Sequence, residues 1–248
     1  FQAEDGIRDS VASRGLGDVY KRQITINADE YLLIWASDKD RSGITYARTL
    51  INEGDSFRYE IPNDNTETNW MSPDFDDDEW SIGNSGFGYA DGDDNTYIAA
   101  GTLAVYLRKS FTIEDVSEIN SLVLDVDYDD GFVAYLNGIE VARSENLPGA
   151  GNFVPFDFLT YYDHEASLYN GGTPESFLID SLSLDGILLF GQNVFAVQLH
   201  NVNNYSSDLS GNFYLTLGIV DDSEFYSDPP FWFQEPVVHD ESNLPLIS

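Results

Sequence analysis

The sequence predicts an all-β fold, an antiparallel β-sandwich, on three observations. Short apolar-rich runs recur at 105–111, 121–127, 132–136, 139–143, 193–200 and 213–219, separated by clusters of Gly, Asn and Asp. Strand-length runs punctuated by turn residues are the pattern of sandwiches and barrels. No stretch long enough for an ordinary helix repeats apolar side chains at helical spacing. The chain is also rich in aromatics, with 15 Tyr, 16 Phe and 4 Trp among 248 residues, and such side chains suit the pleated, half-buried surface of a sheet.

Along the chain, residues 1–23 show neither helical nor strand periodicity and carry Arg8, Arg14, Lys21 and Arg22 out of only 11 basic residues in all. This stretch resembles translated sequencing-adapter read-through and is set outside the fold as an artefact. Residues 24–48 begin with strand-like character, a near-continuous apolar run at 31–36 following an Asn-Ala-Asp-Glu turn. Residues 49–220 hold the sandwich. Its clearest local element is Phe132-Val-Ala-Tyr-Leu-Asn137-Gly138-Ile-Glu-Val-Ala-Arg143, because Asn-Gly between alternating runs meets the positive φ of a type I′ hairpin turn. Asp129-Asp130-Gly131 reads as a second tight turn, so the runs at 121–127, 132–136 and 139–143 are expected to form a three-stranded meander. Residues 221–248 read as a linker around Pro229-Pro230 and then the start of a further domain cut short at the end of the chain.

Composition excludes several function classes. With 44 acidic and 11 basic residues the net charge is −33, which repels nucleic acid and anionic lipid and attracts divalent cations. There is no Cys, so disulfides, zinc–thiolate sites and cysteine nucleophiles are absent. No apolar run approaches the roughly 18 residues of a membrane-crossing helix, and no membrane insertion is expected.

Two resemblances extend this reading. Tyr31-Leu-Leu-Ile-Trp35-Ala36 and Asp38-Lys-Asp-Arg41 resemble part of the lamin-tail domain, which marks 24–48 as a remnant of one. The words Trp70-Met-Ser-Pro73-Asp-Phe75-Asp76-Asp77-Asp-Glu-Trp80, Gly86-Phe-Gly-Tyr89, Tyr106-Leu-Arg108-Lys-Ser-Phe111, Asp129-Asp-Gly131, Tyr135-Leu-Asn137-Gly138, Gly191-Gln-Asn193-Val-Phe-Ala196, His200-Asn201 and Ser206-Ser-Asp208 resemble galactose-binding-like jelly-roll modules. These include the sandwich domains beside family 2 glycoside hydrolases, and above all modules of secreted bacterial proteins that also carry lamin-tail and CotH kinase-like domains. Ser242-Asn-Leu-Pro-Leu246 looks like the start of a CotH-type domain. The resemblance implies an extracellular or cell-surface location and partners among the other domains of the same parent chain. That fold hosts many binding functions and some purely structural ones.

Candidate sites follow from residue chemistry. Asp91-Gly-Asp93-Asp94-Asn95 is a turn rich in oxygen donors, the ligand type calcium takes in sets of 6–8. Asp91, Asp93, Asp94 and Asn95 are therefore candidates for a structural calcium, against the plainer reading of a solvated acidic turn. Asp125-Val-Asp127-Tyr-Asp129-Asp130-Gly131 fails the EF-hand pattern, since Gly131 stands one position late and Leu136 replaces the closing Glu. Alternation places Asp125 and Asp127 on one strand face, with hydrogen-bonding roles. Carbohydrate sites pair an aromatic platform with polar side chains. Tyr161, Tyr162, His164, Tyr169 and Asn170 in the long segment 145–176, and Tyr205 and Asp208 in a second loop, are the candidates, against the alternative that they pack the loop down. Trp70 and Trp80 read as core anchors, and Arg108 and Arg143 as partners of carboxylates within the sandwich. His200 reads as a hydrogen-bonded histidine at an edge.

Neither a nucleophile elbow nor a His-Glu-x-x-His pattern occurs, and the many carboxylates make any glycosidase-like pair uninformative. The expected function is a non-catalytic module that binds polysaccharide or cell-surface glycan for a larger secreted protein. The alternative is a spacer or protein-interaction module that positions a CotH-type domain. A cryptic glycoside hydrolase ranks behind both.

Overall fold

The computed structural model describes residues 46–219, apart from Asp91 and Asp93. The expected read-through (1–23), all but the last residues of the lamin-tail remnant (24–48), and the linker with its following start (221–248) lie outside the described residues. Among the described residues twelve strands form two six-stranded sheets, an all-β sandwich as the alternation and turn spacing predict. The strands are β1 (Tyr46–Ile51), β2 (Ser56–Glu60), β3 (Ser81–Asn84), β4 (Phe87–Tyr89), β5 (Thr96–Tyr97), β6 (Ala104–Ile113), β7 (Ile119–Asp129), β8 (Gly131–Leu136), β9 (Ile139–Arg143), β10 (Glu175–Asp180), β11 (Gly191–His200) and β12 (Leu209–Ile219). The α-helix among the described residues is a single turn, α1 (Ser181–Leu184). No helix among them is long and apolar enough to cross a membrane.

Sheet A runs β10-β7-β12, with β4 and then β5 beside one half of β12 and β1 beside the other. Sheet B runs β3-β2-β6-β11-β8-β9. Pairing is antiparallel except between β4 and β5. Period-two alternation buries one face of each long strand against the other sheet. Leu122, Leu124, Val126 and Tyr128 of β7 and Phe213, Leu215 and Leu217 of β12 meet Val105 and Leu107 of β6, Phe132 and Ala134 of β8, and Phe195, Val197 and Leu199 of β11.

The outer face of sheet B is not solvated. Trp70, Trp80, Tyr106, Val133, Tyr135, Leu147, Val154, Val194 and Ala196 make a second core there, under loops 61–80 and 144–158. Trp70 stacks on Tyr106 with centroids 4.1 Å apart and on Trp80 at 6.2 Å, so both tryptophans anchor the core as expected. Arg108, 2% exposed, fastens the first loop from beneath. Its Nε donates to Asp77 Oδ2 at 2.7 Å, and its other nitrogens donate to the carbonyls of Trp70, Ser72 and Phe75. Arg143 does the same for the second loop through Glu140 and the carbonyls of Pro148 and Asn152.

The hairpin at Asn137-Gly138 forms, with φ of 51° and 84°. The meander does not. β8 pairs with β9 and β11, whereas β7 belongs to the other sheet. Asp129 is opposite Ser210 on β12 and Gly131 is opposite His200 on β11. Asp129-Asp130-Gly131 is thus a crossing between sheets and not a hairpin turn. The local sequence is turn-like in either case, and the partner each strand finds decides between them. His200 also departs from expectation. It is fully buried in a central strand, with Nδ1 3.0 Å from the carbonyl of Phe158.

Candidate functional site

The crossing at Asp129-Asp130 is where the loops converge. β7 alternates, so the inward Leu122, Leu124, Val126 and Tyr128 leave Asp125, Asp127 and Asp129 on the outer face of sheet A. All three are buried, at 2%, 3% and 3% exposure. Such burial is tolerated when donors meet the carboxylates. Asp125 accepts from the Ser176 hydroxyl on β10. Asp127 accepts the backbone N–H of Ser167 at 2.7 Å and of Leu168 at 3.0 Å, and the Ser167 hydroxyl. The sequence-based hydrogen-bonding role for this pair therefore holds.

Asp130 joins two loops. Its Oδ1 accepts the N–H of His164 at 2.9 Å and its Oδ2 that of Val202 at 2.6 Å. Burial raises its pKa above the usual carboxylate value, with the charges of Asp163 and Asp208 adding to the rise. The two N–H donors oppose it.

The long segment wraps this end of the sandwich. From Ser144 it crosses the outer face of sheet B. It then passes Asp130 and continues along the outer face of sheet A to β10. Its backbone is fastened at many points. Asn146 accepts the N–H of Tyr161 on its carbonyl and donates through Nδ2 to the carbonyls of Tyr162 and Asp130. Thr160 donates to the Tyr162 carbonyl.

The expected sugar-binding residues divide into two groups. His164 is an anchor: its ring stacks on Tyr128 at 4.0 Å and 7°, with Nδ1 2.9 Å from the Tyr128 carbonyl. Tyr128 in turn donates to Glu175, and burial followed by that bond raises its pKa. Asn170 ends the one-turn 3-10 helix Leu168–Asn170 and is itself exposed. Tyr161, Tyr162, Tyr169 and Tyr205 instead face solvent, at 63%, 52%, 47% and 89% exposure.

A group the sequence reading did not assemble lies beside this anchor. Asp129, Glu165 and Asp208 each place a carboxylate oxygen within 4.8 Å of the others. They come from a strand and two loops, which Asp130 ties to one another. Asp129 is buried, Asp208 half-buried and Glu165 exposed. Three hard oxygen ligands at this spacing suit a divalent cation such as calcium, with water or carbonyls filling the other positions. Tyr89, buried below the second loop, donates to the Ser206 carbonyl and accepts from Asn201. Its pKa is raised by burial and further by the charges of Asp129 and Asp208.

Of the acidic turn expected to hold calcium, Asp91 and Asp93 lie outside the described residues. Asn95 donates to the Ser85 carbonyl at 2.7 Å. Asp94 lies over Gly88, where a Cβ would come within 2.5 Å of its Oδ1.

No protein-family model matches the chain, and no curated protein does. Among solved structures the chain is similar to a Bacteroides uniformis β-glucuronidase, at 17% identity over 69% of this chain and 18% of that one, with a TM-score of 0.42. A β-glucuronidase from glycoside hydrolase family 2 gives 15%, 75%, 18% and 0.44, and an uncultured Clostridium sp. β-glucuronidase 12%, 76%, 31% and 0.41. The chain thus spans under a third of the length of these proteins. A likeness this distant carries no weight for ligand or activity. The words that resemble lamin-tail and CotH-type domains fall outside the described residues.

Proposed function

We propose that the chain is a non-catalytic, carbohydrate-binding β-sandwich module of a larger extracellular bacterial protein. The observation that carries this reading is the division within segment 157–170. Its backbone is locked by Asn146, Asp127 and Asp130, and His164 does the packing. Tyr161 and Tyr162 are nevertheless 63% and 52% exposed. Aromatic rings left in water on a rigid loop are a platform for the apolar face of a sugar ring, with little ordering cost on binding. Tyr205 and Asp208 extend the platform on the second loop. A calcium ion at Asp129, Glu165 and Asp208 would tie the two loops together.

The histidines support a non-catalytic role among the described residues. Burial holds His200 neutral, its pKa lowered to about 4, and the ring of His164 is committed to Tyr128. His200, fully buried, is not placed to exchange protons with a bound sugar.

The test is binding of the full chain to a panel of neutral and acidic polysaccharides with calcium supplied. The expected result is retention on at least one polysaccharide, lost in Y161A/Y162A. Absence of binding across the panel would overturn this reading in favour of a spacer that positions neighbouring domains. Turnover of aryl-glycosides, abolished by one carboxylate substitution, would overturn the non-catalytic part.

A further inference from the structure

No Lys or Arg follows Arg143 in the sequence. Both loops of the proposed glycan platform fall in that later stretch, one with Tyr161 and Tyr162 and the other with Tyr205. The cations among the described residues are paired or placed elsewhere. Arg58 meets Asp77 and Asp78, Arg108 meets Asp77 and Lys109 meets Asp55. Arg143 is held by Glu140 at 2.6 Å, and its side chain is 8% exposed. Arg48 is opposite Leu217 on β12, whereas Asp129 at the crossing is opposite Ser210, which separates them by about 23 Å of strand.

The platform is instead flanked by carboxylates. Asp163 directly follows Tyr162, and Asp157 directly precedes Phe158, whose ring packs edge-on against Tyr161 at 5.6 Å. Glu145 precedes Asn146, which accepts the N–H of Tyr161 and donates to the carbonyl of Tyr162. Glu145, Asp157 and Asp163 are all exposed. The same Asn146 Nδ2 reaches the carbonyl of Asp130 at 2.9 Å, next in the chain to Asp129, which meets Glu165 and Asp208. A calcium ion there would bring two positive charges to three carboxylates, so the site stays negative with the ion bound.

We infer that this platform admits uncharged glycans and turns away those bearing carboxylate or sulfate groups. The inference rests on the carbohydrate-binding reading above and names the class of sugar it takes. Anionic groups are recognised by Arg, Lys or free backbone N–H groups. Here the N–H groups of His164, Ser167, Leu168 and Val202 are already given to Asp127 and Asp130. An anionic sugar seated on Tyr161 and Tyr162 would lie beside like charges with nothing to offset them, and such juxtaposition selects against a partner. A neutral sugar meets the same carboxylates as acceptors for its hydroxyls.

The test measures binding of the full chain, with calcium supplied and salt at about 50 mM, to matched pairs that share one backbone. These are dextran with carboxymethyl-dextran, hydroxyethyl-cellulose with carboxymethyl-cellulose, and galactomannan with its carboxymethyl derivative. Where the neutral member binds, the charged member is expected to bind more weakly by about tenfold or more. E145Q/D163N should narrow that ratio and leave the neutral member bound as before. E114Q/D185N removes the same charge at the far end of the sandwich and should leave the ratio unchanged. Glu114 follows Ile113, opposite Gly191, about 30 Å of strand from His200 and the crossing. Equal binding of both members would overturn the inference and leave the carbohydrate-binding reading standing. Equal narrowing in the two variants would trace the discrimination to net charge alone and overturn it as well. Failure to bind any member would remove the underlying reading and the inference with it.

Discussion

The two outer faces of the sandwich are both covered by loops, and they are covered by opposite chemistry. Sheet B is roofed by stacked aromatics, with Arg108 and Arg143 gathering carbonyls beneath them. Sheet A is roofed through carboxylates. Asp127 and Asp130 accept backbone N–H groups from loops laid over them. An aromatic roof has its energy in buried area, so removing an anchor costs folding stability. A roof held by hydrogen bonds fixes the loop backbone and leaves its side chains free. That difference accounts for the tryptophans of loop 61–80 being buried on sheet B while Tyr161 and Tyr162 of the long segment stand exposed near the crossing.

The comparison can be broken from either side. The largest effect is expected from Arg108→Ala, which takes a buried guanidinium from Asp77 and three carbonyls. Breaking a buried ion pair in this way costs about 3–5 kcal/mol, to be read by urea denaturation, with polysaccharide affinity of the folded fraction unchanged. Next comes pH. His200 stays neutral in the folded state down to about pH 4 because of burial, whereas the unfolded chain takes up that proton near pH 6.5. Stability is therefore fully present above the unfolded value and is lost as pH falls from about 6.5 toward 4. The loss reaches roughly 3 kcal/mol at about 1.4 kcal/mol per pH unit. His200→Gln should flatten that part of the profile, and an unchanged slope would remove His200 as its source.

Calcium ranks third. At a concentration 100 times its dissociation constant, a ligand of the folded state adds about 2.7 kcal/mol. Calorimetric melting should rise accordingly on adding calcium after EDTA, and Glu165→Gln with Asp208→Asn should abolish the rise. Melting curves that coincide with and without the ion would eliminate the site. Asp127→Ala follows, at about 1–3 kcal/mol for two N–H groups left without their acceptor. Hydrogen exchange should rise in 163–170 and not in β11 or β6, since sheet B does not depend on that carboxylate. The smallest stability change is expected from Tyr162→Ala, within about 0.5 kcal/mol for an exposed side chain, together with a loss of glycan binding that the sheet B substitutions do not share.

Much of the sandwich was legible in the chain. The long strands fall where alternation places them. The hairpin turn follows from the backbone freedom of Asn137 and Gly138. The roles of Trp70, Trp80, Arg108 and Arg143 follow from burying large aromatics and pairing scarce cations. The strands β1 to β5 and β10 escaped notice, because short runs such as Phe87-Gly-Tyr89 are too brief for any period to show. The candidate loops were found by length and aromatic content, but their internal division was not. Nothing in the spacing of Tyr161, Tyr162 and His164 tells which of them meets Tyr128.

What the sequence determined by itself is therefore the all-β character, the hairpin at Asn137-Gly138 and the shared strand face of Asp125 and Asp127, since each rests on the conformation of a few adjacent residues. Only the tertiary structure decided that Asp129-Asp130-Gly131 carries the chain from one sheet to the other. It also decided that Asp130 ties His164 to Val202, and that Asp129, Glu165 and Asp208 meet. Those outcomes depend on which strands pair and on closing long stretches of chain, and the free energy that settles them comes from burial across the whole sandwich, which leaves no local pattern to read.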